Sequence, residues 1–343
     1  MRINKNWLLT LMIGILLLLA ACGGQDTSGK TTEADAGSNN EEVVIDVSLP
    51  LGAESQQGLG VLKFGEELEE LSDGRFTIKP HYDNALGGER EVFEGMGVGT
   101  IDAGILSTGP IGGFVDELLL FDLPYIFENH DHAYAFLDSE HGEHLAELIY
   151  EEADVKVLAW MENGFRHETN SVRAIETLED LEGIDHRTQE SKVQIDTWTA
   201  LGTNATPMAW TEVFTALQQG VIDSQENPLA TIADVNFSEV QDYLNLTKHV
   251  YSPAPLMISR ELFDSFSEED QDIILEAAKN ALPYQRDVSQ QQEEDFTVEL
   301  EEEGMTVTEP ELDPFREAVE DVIEKWKPKI GEDIVDAALD MEY

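Results

Sequence analysis

VVIDVSLPLGAESQQGLGVLKFGEELEELSDGRFTIKPHYDNALGGEREVFEGMGVGTIDAGILSTG, residues 43–109, reads strand, helix, strand, helix, strand. Val43 to Leu49 is a β-rich run. Val61, Phe64, Leu68 and Leu71 then recur at helical spacing, and Asp73-Gly74 stops that helix. Phe76 and Ile78 alternate with polar residues. Val92, Phe93 and Met96 mark a short helix, and Ile101, Ala103 and Ile105 a strand ending at Ser107-Thr108-Gly109. This alternation predicts an α/β fold with a largely parallel sheet. Ligands of such sheets sit beyond the carboxyl ends of the strands, where Ser107 and Thr108 lie.

The pattern continues downstream. Val155 to Trp160 reads as a strand, Lys192 to Leu201 and Thr211 to Gln219 as helices, and Val221 to Asp223 as a short strand. Lys248 to Tyr251 reads as a strand crossing back to the first block. Ser267, followed by Glu268, Glu269 and Asp270, is a strong helix start, because acids complement the positive dipole end. The helical pattern runs on to about Glu303, and Pro283 inside it predicts a kink or a split. Asp313-Pro314 starts a last helix with Phe315, Val319, Val322 and Trp326 on one face.

The N-terminal end speaks for export. Arg2 and Lys5 precede an apolar stretch, Trp7 to Ala21, that is short for a membrane-spanning helix. A charged start, an apolar core and small residues at its end make a secretory signal peptide over 1–21. The order Leu19-Ala20-Ala21-Cys22-Gly23 resembles the bacterial lipobox, which implies lipidation of Cys22 and anchoring to the outer face of the cell membrane. The polar residues 22–42 read as a flexible tether. Cys22 is the only cysteine, so no intramolecular disulfide forms and no CxxC site exists. The fold rests on its core alone.

The chain holds 71 acidic and 20 basic residues, for a formal charge of −51. Nucleic acid is excluded as a partner. Acids spread along the whole chain suit a salty habitat, where self-repulsion is screened. An anionic ligand would need local positive charge to overcome this field. The chain has no phosphate loop, no Rossmann glycine fingerprint, no HExxH and no GxSxG. No catalytic residue and no cofactor are expected. His130, His132, His141 and His144 cluster in sequence but show no metal-ligand spacing, and read as polar ends of a surface helix, with no metal.

Residues 160–232 carry five motifs in order: Gly164-Phe165-Arg166-x-x-Thr169-Asn170, Glu179-Asp180-Leu181-x-Gly183-x-x-x-Arg187-Thr188, Ala200-Leu201-Gly202-x-x-x-Thr206-Pro207-Met208-Ala209-Trp210, Glu212-Val213-Phe214-Thr215-Ala216-Leu217-Gln218-Gln219-Gly220, and Asp223-x-Gln225-Glu226-Asn227-Pro228. Upstream lie Asn84-Ala85-Leu86-Gly87-Gly88-Glu89-Arg90 and Phe121-Asp122-Leu123-Pro124-Tyr125-Ile126-Phe127. Together they resemble the solute-binding proteins of tripartite ATP-independent periplasmic (TRAP) transporters, in the dicarboxylate-binding-protein-like group. Two positions depart from the family pattern: His186 replaces a basic residue before the arginine, and Ser224 replaces a glycine.

The resemblance implies a two-domain α/β fold like that of periplasmic binding proteins, with a ligand cleft between the domains and a long helix spanning both. The expected division is 43–163 plus 253–292 for the first domain and 164–252 plus 293–343 for the second. It also implies a small organic-acid ligand, membrane permease subunits as partners, and cleft closure hinged near Asn163, Tyr251 and Pro283.

By family position Arg187 grips the ligand carboxylate, for which its planar fork is suited; a surface salt bridge is its alternative role. Arg166 is the second cation, or a domain-bridging salt bridge. Asn227 is held extended by Pro228 and offers donor and acceptor to a hydroxy acid, or is a turn residue. Trp210 is an apolar wall or core. Glu54, Glu89, Ser107, Thr108 and Glu190 are lining candidates, each acid equally a solvated one. Two arginines fit a C4-dicarboxylate such as malate or succinate. One arginine with Asn227, Glu190 and Ser107 fits a uronate or other sugar acid, which the acidic lining favours by repelling a second carboxylate. A sensory receptor for the same acid would use the same cleft. A sugar-acid enzyme would need a base or nucleophile beside the arginine, and none is seen.

Overall fold

Nine strands form one mixed sheet: β1 (Val43–Ser48), β2 (Phe76–His81), β3 (Ala103–Ile105), β4 (Val155–Asn170), β5 (Asp185–Thr188), β6 (Asn204–Pro207), β7 (Ser224–Pro228), β8 (Tyr243–Ser259) and β9 (Thr306–Thr308). The computed structural model describes residues 42–343. The expected signal peptide, Cys22 and the tether up to residue 41 lie outside the described residues.

The order is β2-β1-β3-β8-β4-β7-β5-β6, with β9 on β8. The short strands of each half pair in parallel, β1 with β2 and β3, and β5 with β6 and β7, whereas the long strands β8 and β4 join β3 and β7 antiparallel. The two longest strands, β4 and β8, are antiparallel to each other and run from one half into the other. A largely parallel sheet is therefore the architecture of each half and not of the seam. At one end β8 pairs with β3 through Leu256–Ile258; at the other, β4 pairs with β7 through Arg166–Asn170. The ladder slips between Glu162 and Gly164 and again between Arg166 and Glu168. Such bulges bend a strand and re-aim its side chains.

The helices are α1 (Gln56–Leu71), α2 (Glu89–Gly97), α3 (His130–Leu137), α4 (Glu140–Ala153), α5 (Lys192–Ala200), α6 (Trp210–Gln218), α7 (Leu229–Asp234), α8 (Arg260–Ser265), α9 (Glu268–Glu302), α10 (Asp313–Ile330) and α11 (Glu332–Leu339). Ser55 caps α1 by accepting from the Gly58 amide, and Ser267 caps α9 by accepting from the Asp270 amide. Gly58 is required by packing: a Cβ there would lie 2.3 Å from the Gly52 carbonyl oxygen. The Pro50–Gln57 loop is thereby drawn tightly over the end of β1.

α9 joins two cores. Its Ile274, Ala277, Ala278 and Ala281 pack with Val61, Phe64, Leu68 and the β1 side chains, whereas Leu300 packs with Val213, Leu217, Ile232 and Phe237. A third cluster, from Phe121 and Trp160 to Trp198, takes the buried face of α10: Phe315, Val319, Val322 and Trp326.

Four expectations are corrected here. Pro283 does not split α9, which is one helix of 35 residues. The proline is on the exposed face, where water can satisfy the Lys279 carbonyl left without its donor. Val221 is 61% exposed in a turn closing α6, and the strand begins at Ser224. α10 is not the last helix, because α11 follows it. His132 is buried, with Nε2 2.8 Å from the Ala338 carbonyl, and so is not a surface residue.

Candidate ligand-binding site

The loop after β1, the start of α2 and the end of β3 face β5, β7 and α7 across a small space. Gln57, Glu89 and Ser107 line it from the first half, and Gln189, Trp210, Asn227 and Thr231 from the second. Asn163 belongs to the crossing strand β4. The free volume is about 10 Å³, roughly room for one water. A ligand of several carbon atoms therefore requires the two sides to part.

Contacts span this space. The Gln56 and Gln57 amides donate to Asn163 Oδ1 at 3.0 and 3.1 Å, and the Thr231 hydroxyl reaches the same oxygen at 3.4 Å. The Gly52 amide donates to Asp234 Oδ2 at 3.0 Å. Ser107 donates its amide to Glu89 Oε1 at 2.7 Å. Burial raises the Glu89 carboxyl above its ordinary value, against that hydrogen bond. Gln57 Oε1 is buried without a hydrogen-bond donor, so the wall offers acceptors to a hydroxyl.

Arg187 stands behind Trp210, its guanidinium carbon 6.0 Å from the indole centroid. It is 2% exposed. Its Nε and Nη2 donate to the Met208 carbonyl at 3.0 and 2.7 Å, which fixes the fork. Among the described residues no carboxylate pairs with it within 4.0 Å. Burial lowers its pKa to about 10, with Glu226 opposing that shift, so it remains a cation. A desolvated, fixed and unpaired guanidinium is suited to an incoming carboxylate.

Arg166 is different. It is fully buried and bound to Glu226: Nε reaches one carboxylate oxygen, and Nη2 donates to the other at 2.8 Å. Nη2 also donates to Asn227 Oδ1 at 2.9 Å, while Nη1 has no hydrogen-bond partner. Both residues of the pair belong to adjacent strands of the second half, so the pair does not bridge the halves. Burial would raise the Glu226 carboxyl; the Arg166 charge and the His249 imidazole, 3.1 Å away, outweigh it and hold it well below the usual range.

The two departures from the family pattern meet. His186 and Ser224 are register partners on β5 and β7, with Nδ1 2.7 Å from Oγ. Ser224 donates to Glu168 Oε1 at 2.5 Å, and His186 stacks on Trp198 at 3.7 Å. Burial pushes the Glu168 carboxyl up to about 7 despite its hydrogen bonds.

Of the residues singled out from sequence, Glu89, Ser107, Asn227 and Trp210 line the space, and Arg166 and Arg187 stand directly behind it. Thr108 is buried next to Ser107. Glu54 and Glu190 are exposed and are not among its lining residues; the backbone carbonyl of Glu54 accepts from Gln292. Sequence reading missed Gln57, Asn163, Gln189, Thr231 and the partner of Arg166, Glu226. Asn163, Gln189 and Glu226 sit beside or within quoted motifs and were reachable. Nothing local marks Gln57.

A family model described as bacterial extracellular solute-binding protein, family 7, matches residues 48–329. A solute-binding protein of Verminephrobacter eiseniae (strain EF01-2) is 39% identical over 78% of this chain and 79% of its own. A TRAP periplasmic solute-binding protein from Polaromonas sp. JS666, bound to D-erythronate, superposes with a TM-score of 0.86 at 37% identity, over 88% of this chain and all of its own. The sugar acid binding protein of Advenella mimigardefordensis strain DPN7T, in complex with galactonate, gives 0.85 at 35%, over 88% and 98%. A TRAP protein from Sulfurospirillum deleyianum DSM 6946 with bound succinate gives 0.84 at 27%, over 88% and all of its own.

Proposed function

Because the chain belongs to the bacterial extracellular solute-binding protein family 7, and TRAP periplasmic solute-binding proteins are among the structures it matches, we propose that it captures a polyhydroxy monocarboxylate and delivers it to the permease subunits of such a transporter. The observation that carries this reading is Arg187: one buried guanidinium, without a carboxylate partner among the described residues, set behind Trp210 at a wall that offers acceptors. Arg187 takes the single carboxylate. Gln57 Oε1 and Glu89 accept from hydroxyls. The charge of Arg166 is already met by Glu226, so a second carboxylate would find repulsion from Glu89 and no free cation. The relatives that hold D-erythronate and galactonate agree with this balance and are nearer in sequence than the one that holds succinate. The chain acts as a binder and not as an enzyme.

Closure of the cleft belongs to the same proposal, with residues 43–163 and 253–292 moving against 164–252 and 293–343. A ligand touching both walls gains its full contacts only when they meet, and so favours the closed state. The test is a thermal-shift screen with D-erythronate, galactonate, glucuronate and succinate. A ligand at one hundred times its dissociation constant stabilises by about 2.7 kcal/mol. Sugar acids are expected to raise the melting temperature and succinate to leave it unchanged; a shift with succinate alone overturns the assignment.

We further propose that Cys22 carries a lipid that holds the protein at the outer face of the membrane. The support is the order Leu19-Ala20-Ala21-Cys22-Gly23 and the absence of any other cysteine. A body of this charge would be repelled by an anionic surface, so electrostatics alone would not retain it. Cys22→Ser is expected to move the protein to the soluble fraction with unchanged ligand affinity. Retention of the variant in the membrane fraction would sink the anchor.

A further inference from the structure

Where β4 passes from one core to the other, side chains from three separate elements meet on the side of α9. His130 opens α3, Glu162 lies on β4 and Glu293 on the C-terminal half of α9. One ligating atom of each lies within 4.8 Å of the other two. His130 Nδ1 is 2.8 Å from Glu162 Oε1, and Nε2 is 3.1 Å from Glu293 Oε2. The Glu162 side chain is wholly buried, yet its Oε1 and the His130 Nδ1 both lack an aligned hydrogen bond. The rest of Glu162 is fixed: the Tyr134 hydroxyl donates to Oε2, and the Gln285 amide pairs with its backbone N–H and C=O at 2.8 and 2.7 Å. Oε1 is thus held 2.8 Å from the imidazole but out of line with its ring N–H. Leaving a buried carboxylate oxygen unsatisfied is costly, and native proteins rarely do so without an ion or water.

We propose that His130, Glu162 and Glu293 form a binding site for a divalent first-row transition metal, with zinc as its probe. One imidazole nitrogen and two carboxylates suit such a cation, and three protein ligands leave a position for water. A cation there serves both of these misaligned atoms at once. His130 and Glu293 keep 18% and 25% of their side-chain surface exposed, which gives it an entry path. The ammonium of Lys248 lines the same groove but is turned onto the Phe165 ring at 4.3 Å. The ligands come from three elements separated in sequence, so no motif spacing announces them. Bound metal would tie α3 and α9 to the crossing strand.

The test is titration calorimetry of the full chain, stripped with a chelator, with zinc chloride at high salt to suppress weak surface binding. The expected result is about one equivalent of a site tighter than the acidic background. Both His130→Asn and Glu293→Gln, at only partly buried positions, should weaken that site roughly tenfold or more and leave the background unchanged. Cobalt in place of zinc should give a visible absorption band that His130→Asn alters. No site above background, or the same tight site in both folded variants, overturns the proposal and leaves an ion triad held by a proton on His130.

Discussion

Arg187→Ala is expected to abolish most ligand affinity, a loss of roughly 3–5 kcal/mol, or two to three and a half orders of magnitude. The size follows from what is left behind. A carboxylate drawn into the closed site gives up its hydration and then faces no cation, because the charge of Arg166 is already matched by Glu226. Arg187→Lys should recover only part, since an ammonium cannot present two parallel donors. The free variant should nevertheless melt near the parent. Arg187 has no carboxylate to strand among the described residues, and its removal frees one carbonyl, that of Met208. Calorimetry with the acid identified by thermal shift checks the claim. Near-parental affinity in Arg187→Ala would remove the central role of this residue, and a collapse of the free variant's melting temperature would show that the role is structural.

That contrast explains why the sequence separates the arginines poorly. Both sit in motifs, and both are cations in an acidic chain. What distinguishes them is whether a carboxylate lies within reach in three dimensions, and Glu226 is 60 positions from Arg166. Local signals were readable where local physics decides: Ser267 as a cap, the 3.6-residue stripe of α10, and Asn227 held extended by Pro228. They failed where context decides. Pro283 is tolerated because it faces water. Val221 looks like a strand residue, yet it follows Gly220 at φ 66°, where α6 must close. Glu54 and Glu190 share their residue type with Glu89, and only the packing of α2 against β3 makes Glu89 the buried one. His186 and Ser224 were visible as two separate oddities. Their pairing across β5 and β7 joins them in one contact, the Ser224 hydroxyl against the His186 imidazole.

Glu226→Gln is expected to be the most destabilising single change near the site. It leaves the fully buried guanidinium of Arg166 without its counter-charge and replaces one of two acceptor oxygens, shared between Arg166 and His249, by a donor. Breaking one side of a buried ion pair costs roughly 3–5 kcal/mol, which lowers the melting temperature by about 5–8 °C in a protein of this size. An exposed acid changed in the same way, Glu212→Gln on α6, should stay within about 0.5 kcal/mol of the parent. The pH dependence has a definite sign. The folded-state pKa of Glu226 lies below its ordinary value of 4.5, because Arg166 and His249 outweigh the effect of burial. Its contribution to stability is therefore complete above about pH 4.5 and is lost as the pH falls through the folded value. The gap between the parent and Glu226→Gln should be widest at neutral pH and close progressively in acid. An anion that reaches Arg166 Nη1, the nitrogen without a partner, should restore part of the lost stability in the variant. Equal melting temperatures of parent and variant at neutral pH would show that the pair contributes nothing, and a gap that widened in acid would contradict the assigned direction of the shift.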